Sequence, residues 1–362
     1  AEAVVAEVEA RLGAGEVEGR ASVAPDRTVI TFLVRPEQAA ATLTALGEIG
    51  FGTGPSTATV ADVRNRRAGV LRFELDSPLR EVGVERRALL FGTGDPRTRP
   101  PGGTLAVVES AGDAEIDAAR RMLFTAGDAR VVAVGPVEPA GALTIAAQAP
   151  PVSEPSVSAD ATSADTAAAS PEARAGADVA AASPPGGTTS AGPAWTTPDR
   201  RIVVREVTNT WLSVAFPVPA DLPRVAVLFV ADRMQQELNA TPPDPGLFNV
   251  SVEVAEMPEG EVLVVEAAVL PDASERFERR ILDLPARLAT ERDPAFFRYH
   301  RGRFRAGRLI ADAAPERAAE RMAAELLARG TILAFDEAVW SLDASTAAGA
   351  AAALGPPRIL VF

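Results

Sequence analysis

Hydrophobic positions along this chain switch between a strand period and a helix period, and the switches recur. Residues 28 to 34, TVITFLV, form a β-rich apolar run; Pro36 and Glu37 follow, and AAATLTALGEI then repeats apolar residues at helical spacing. Residues 263 to 269, LVVEAAV, are again β-rich, Pro271 and Asp272 follow, and SERFERRILDL carries the next helical pattern. Proline suits a first helical turn, where its missing N–H costs nothing, and an acid there meets the positive end of the helix dipole. Leu46 and Ile49 fall in register with Ile281 and Leu284, one apolar face in each copy.

The ends of the two halves match as well. DAEIDAARRMLFTAGDARVVAVGP closes the first at Pro136, and DASTAAGAAAALGPPRILVF closes the second at Phe362. Each predicts a short helix, a turn at Gly127 or Gly355, an arginine at 130 or 358, and an aliphatic strand. Order, spacing and element type agree, so the pattern reads as an internal duplication. It predicts an α+β fold of two tandem homologous domains, each a mainly antiparallel sheet with helices packed on one face.

Within the second half, NTWLSVAFPVP predicts a strand and LPRVAVLFVADRMQQEL the helix after it. That helix corresponds to the one that opens the chain, EAVVAEVEARLG. The strand at 210 to 217 then has no counterpart in the first half, which is expected to lack its leading strand: either an N-terminal segment is missing, or an unpaired edge is left that something else must cover. Asp293 and Pro294 open a further helix, and Pro315 and Gly330 bracket another. Between the halves, residues 142–198 are Ala, Ser, Pro, Thr and Gly with scattered acids. They carry too few large apolar side chains to offset their ordering entropy. The expected organisation is a domain at 1–141, a linker at 142–198 and a domain at 199–362.

Composition narrows the chemistry. The 362 residues include no cysteine and a single histidine, His300. Disulfides, thiolate ligands and cysteine nucleophiles are excluded, and no metal site needing two imidazoles can form within one chain. There is no lysine, so all 36 cationic side chains are arginine, against 49 acids and a net charge of -13. That balance argues against a nucleic-acid or anionic-membrane protein. No apolar run reaches the roughly 20 residues of a membrane helix. Residues 1 to 20 show no basic start followed by an apolar block. The compartment is left open, with a periplasmic or otherwise extracytoplasmic location favoured over a cytoplasmic one.

Several local features have plain readings. RYHRGRFRAGR, residues 298 to 308, places Phe297 and Phe304 on one helix face and spreads its arginines over the others. It is expected to be a solvated helix on which His300 is exposed or half-buried, with no role as a base. GFGTGPS at 50 to 56 and FGTGDP at 91 to 96 lack a phosphate-loop lysine and predict turns. Trp211 and Trp340 are expected to pack, and Trp195 to dock on a domain.

Taken together, the duplicated α+β pattern and two further stretches resemble the pitrilysin/insulinase metallopeptidases, the group that includes mitochondrial processing peptidase. The stretches are ELDSPLREVGVERRALLFGTGDP at 74 to 96 and DRMQQELNATPPDPGLFNVSVEV at 232 to 254. In active members the first helix carries H-x-x-E-H, two imidazoles one turn apart that hold zinc, with the glutamate as general base. The matching positions here are Val4, Val5, Ala6, Glu7 and Val8. Glu7 is kept and is expected to be a solvated surface acid. The third ligand position falls at Gly69 or Val70, with Glu74 one turn away. The family's substrate-contacting arginine and tyrosine correspond to Asn239 and Phe248.

The resemblance with these departures implies no catalytic, cofactor-binding or metal residues and no cofactor. The expected role is a catalytically inactive subunit, a scaffold or regulatory partner of an active zinc metallopeptidase homologue, able to hold extended peptide by strand addition. The alternatives are a structural component of a larger complex with no peptidase partner, and a hydrolase whose ligands lie on a preceding segment.

Overall fold

The computed structural model describes residues 1–13, 15–24, 27–75, 77–125, 128–135, 195, 197–239, 245–257 and 260–362. The expected linker lies outside these residues apart from Trp195, Thr197 and Pro198, as does the turn at Gly127. In the N-terminal half the elements are α1 (Glu2–Leu12), β1 (Val17–Val23), β2 (Thr28–Val34), α2 (Ala39–Gly47), α3 (Thr57–Glu74), α4 (Pro78–Phe91), α5 (Leu105–Ser110) and α6 (Asp113–Leu123). The C-terminal half runs β3 (Asp199–Ile202), β4 (Thr210–Val218), α7 (Arg224–Leu238), β5 (Leu247–Met257), β6 (Gly260–Val269) and α8 (Ser274–Thr290). It continues with α9 (Pro294–Asp312), α10 (Pro315–Arg329), α11 (Phe335–Ser341), α12 (Ala344–Ala353) and β7 (Arg358–Val361).

The duplication is visible in this order. In both halves an antiparallel hairpin, β1–β2 or β5–β6, follows a helix. A short 3-10 turn begun by proline, Pro36–Gln38 or Pro271–Ala273, then leads into the next helix. α1 buries Val4, Val5 and Val8; α7 buries Val230, Ala231 and Met234 at the same phase. Ile49, Ile281 and Leu284 are 3%, 0% and 0% exposed, as their shared register requires.

The C-terminal sheet has the order β3-β7-β4-β6-β5, antiparallel except for β3 beside β7. Side chains alternate across it. Leu212, Val214, Phe216 and Val218 of β4 join α7, α8 and α12 in the main core, with Phe277 of α8 fully buried. Trp211 and Ala215 point the other way, toward a face that the C-terminal helices leave open. α4 of the N-terminal half covers it: Val82 and Leu89 pack with Leu360, Phe362 and Trp211, and Leu90 packs with Ala215, Val262 and Val264. Arg358 donates to the carbonyls of Leu89 and Leu90, a cation at the C-terminal end of α4 where the dipole favours it. Arg86 of α4 pairs with Glu266 of β6. Trp195 docks as expected, its Nε1 donating to the carbonyl of Pro356 at 3.0 Å.

Three expectations change. Residues 131 to 134, expected as the closing strand of the N-terminal half, are not a strand, and Val131 is 49% exposed. Its counterpart β7 is held by ladders to β3 and β4. Among the described residues no strand equivalent to β4 lies beside β2, so the segment has no ladder to join.

His300 is buried at 7% exposure rather than exposed or half-buried. Its Nδ1 lies 2.8 Å from both Arg233 Nη1 and Gln236 Oε1, and its ring meets Phe296 edge-on. The neighbouring Phe297 and Phe304 do share a face, each edge-on to Phe229. Trp340, expected to pack, is 59% exposed under the guanidinium groups of Arg301 and Arg305.

Burial, reinforced by the Arg233 cation, holds the His300 pKa below its ordinary value of 6.5. A neutral imidazole is thus retained in the fold while the unfolded chain binds a proton more readily. The stabilisation is complete above pH 6.5 and is lost as pH falls through that value toward the folded-state pKa. Urea unfolding of His300→Gln is expected to show a shallower loss of stability below pH 6.5 than the parent chain. Equal slopes would remove His300 as the source.

Candidate functional site

α1 is built from Ala, Glu and Leu, good helix formers, with valines placed one turn apart, and it stops at Gly13, whose φ of 103° suits glycine. Its buried stripe faces β1, β2 and α2. Val4 and Val8, at 2% and 0% exposure, pack with Ala45 and Ile49 and against Ile30, Phe32, Leu46 and Phe124. The approach to β1 is close: a Cβ on Gly19 would stand 2.6 Å from Val5 Cγ1 and 2.5 Å from Phe32 Cε1. Glycine at 19 is what lets the helix lie this near the sheet.

Glu7 points away from that stripe, toward the start of α3. Its Oε2 accepts from Ser56 N at 3.0 Å and from Ser56 Oγ at 2.9 Å. Ser56 is the N-cap of α3 and accepts in turn from Thr59 N at 3.3 Å. A hydrogen bond from the Thr59 side chain, with those from Ser56, lowers the Glu7 pKa. Glu7 is therefore half-buried and engaged as a clasp between two helices, not a free solvated acid. Its negative charge sits where the α3 dipole favours it.

The other expected positions are scattered. Gly69 and Val70 lie on the exposed side of α3; no atom stands within 4 Å of where a Gly69 Cβ would be, and Val70 is 45% exposed. Glu74 is the last residue of α3. Asn239 ends α7 in solvent, and Phe248 is 58% exposed at an irregularity in the β5–β6 ladder.

Zinc needs three or four N, O or S donors converging on one point. At the two helix positions valine has no lone pair, Glu7 is committed to Ser56, and Gly69 and Val70 offer no side-chain donor. The residues present do not fit the ion. Among the described residues no group of three or more His, Asp or Glu stands together as a metal cluster.

A cleft of about 470 Å³ opens beside the N-terminal end of α1, between Val60 and Val63 of α3 and Val107 and Val108 of α5. Its side chains supply one carboxylate, Glu2, and the arginines Arg64 and Arg67. Those arginines donate to the carbonyls of Ala111 and Gly102. The cleft is apolar with spent cations, and it pairs no base with a nucleophile.

The sequence reading missed Ser56 as the partner of Glu7. It also missed Arg120, 8% exposed, whose guanidinium holds the carbonyls of Gly50 and Gly52 at 2.7 and 3.1 Å and so fixes the π-helical segment Glu48–Thr53, which stands where the sequence predicted a glycine turn. An arginine amid an apolar helix face was the available signal.

No family model and no curated protein sequence matches the chain. Solved structures match in fold. The periplasmic protease PqqL from Escherichia coli superposes with a TM-score of 0.64 at 12% identity, over 98% of this chain and 38% of its own. A protease from Helicobacter pylori gives 0.69 at 13%, over 99% and 84%. A peptidase M16 inactive domain from Pseudomonas fluorescens gives 0.62 at 14%, over 99% and 82%. This chain thus spans well under half of the first protein and most of the other two. At such identities the likeness is one of fold, and the fold is that of M16 peptidase-like proteins. No helix among the described residues is long and apolar enough to cross a membrane.

Two substitutions test this geometry. Glu7→Ala should cost about 1 kcal/mol in urea unfolding, the usual loss of a side-chain hydrogen bond, while Glu7→Gln, which still accepts, should cost less. Val8→His puts a polar ring into a filled apolar site and should cost about 2–4 kcal/mol. A stable Val8→His protein would mean that the position is open to solvent.

Proposed function

We propose that this chain is a catalytically inactive, zinc-peptidase-like subunit that acts as a scaffold or regulatory partner of an active homologous metallopeptidase. One observation carries the reading: the two helix positions that would present imidazoles hold valines built into the core, 2% and 0% exposed. The proposal includes domains at 1–141 and 199–362 joined by a linker, no catalytic, cofactor or metal residue, and an extracytoplasmic location. Two of the fold neighbours support it, one described as an inactive M16 domain and one as a periplasmic protease.

An M16-like unit without ligands keeps the surface of its fold and loses only the donor atoms. Glu7 shows how the change is absorbed. A carboxylate acting as general base must stand free beside a bound water; here both Ser56 donors occupy one of its oxygens. Asn239 and Phe248 likewise offer neither the cation nor the phenol that would contact substrate beside a partner's metal. These features support a role in holding and orienting the partner.

The test is metal content and cleavage on the purified chain, followed by affinity purification from the native host. The expected result is substoichiometric zinc, no chelator-sensitive peptide cleavage, and a co-purifying protein bearing H-x-x-E-H. Stoichiometric zinc with chelator-sensitive cleavage would overturn the inactive reading, and a stable assembly without any peptidase homologue would overturn the partner reading.

A further inference from the structure

Edge strands present unpaired N–H and C=O groups and so template the addition of another extended chain. β1 and β5 are both edge strands. Each carries a side chain bonded to its backbone. On β1 the Gly19 N–H donates to Glu9 Oε1 at 2.7 Å. On β5 the Gln235 amide works in both directions: Nε2 donates to the Val250 carbonyl at 3.0 Å, and Oε1 accepts from the Val252 N–H at 2.6 Å. One side-chain amide thereby takes the acceptor and the donor that a residue of an added strand would take.

The two contacts occupy the same place in the two halves. Val4, Val5 and Val8 of α1 are buried in phase with Val230, Ala231 and Met234 of α7. Glu9 and Gln235 are each the next residue after the fully buried Val8 and Met234. Each reaches from its helix to the hairpin strand packed beneath it. β2 is covered by other means: α10 packs against it, and Glu320 of that helix accepts from Thr31 Oγ1 at 3.3 Å and Arg20 Nε at 2.5 Å.

We propose that Glu9 and Gln235 are edge plugs that hold β1 and β5 closed to extended peptides. In the resting chain neither strand accepts an added strand until its plug swings away, so the strand addition expected from the sequence is shut at these two edges. The plugs differ in strength. Gln235 satisfies a donor and an acceptor together; Glu9 satisfies only a donor, which makes β1 the easier edge to open. The inference rests on backbone geometry and stands apart from the question of zinc.

The test uses a fluorescent peptide of the β4 sequence, TWLSVAFPV, nine residues that already pair with an antiparallel strand in this fold. Anisotropy titrations of the full chain should give binding at least about tenfold tighter for Glu9→Ala and for Gln235→Ala than for the parent. Glu9→Gln keeps the acceptor and should behave as the parent. Gln235→Glu keeps the bond to Val252 and loses that to Val250, so it should fall between the parent and Gln235→Ala, and it reports on β5 if the alanine variant fails to fold.

Amide hydrogen exchange should speed up at Gly19 in Glu9→Ala and at Val252 in Gln235→Ala, then slow again when peptide is added. Folded variants with faster exchange and no gain in peptide binding would overturn the proposal, as would a parent chain that binds the peptide as tightly as they do. Neither readout involves metal or cleavage, so failure here is distinguishable from failure of the inactive-subunit reading.

Discussion

Burial of both faces of β4 and β6 is the constraint from which the arrangement of the two halves follows. Helices α7, α8 and α12 cover one face from within the C-terminal half, and the other would meet water with Trp211, Ala215, Val262, Val264, Leu360 and Phe362 exposed. α4 closes that face from the N-terminal half. A sheet of aliphatic side chains is stable only when both sides are removed from water, at roughly 25 cal/mol per Å² of apolar surface. The polar contacts at this seam, Arg358 on the end of α4 and Arg86 with Glu266, set the direction and register of the helix while the apolar contact supplies the free energy.

The same economy explains α1. Two positions one helical turn apart lie on one face, and that spacing serves two incompatible ends. With imidazoles it chelates a metal; with valines it is an ordinary core stripe. In this chain packing against α2 and β2 asks for apolar volume at Val4 and Val8, which valines supply and imidazoles do not. Glu7, lying off the stripe, is under no such demand and stays as a clasp on Ser56. β-branched residues cost a helix only a few tenths of a kcal/mol each, less than their burial returns.

Sheets that end in open strands must cover their edges or risk association with other chains. At three of the edges a helix supplies the contact: Glu9 over Gly19, Gln235 over Val250 and Val252, and α10 with Glu320 against β2. Closure of this kind suits a protein whose contacts with others run through side-chain surfaces.

How much of this was legible beforehand divides along physical lines. The elements, their duplication and the missing donors at positions 4 and 8 were readable because period, propensity and side-chain chemistry belong to residues near one another in the chain. The caps at Asp293 and Gly330 were readable for the same reason. The burial of His300 against Arg233, the clasp of Glu7 on Ser56, the failure of 131 to 134 to become a strand and the plugging of two sheet edges were not. Each depends on what stands opposite a residue across a packed layer, as Arg358 stands opposite Leu89 at a sequence separation of 269. The sequence alone determined most of the helices and strands and the absence of imidazoles at positions 4 and 8; the tertiary structure decided whether a strand-like segment such as 131 to 134 finds a ladder and which faces and edges are covered, because both depend on distant residues whose position only the folded chain sets.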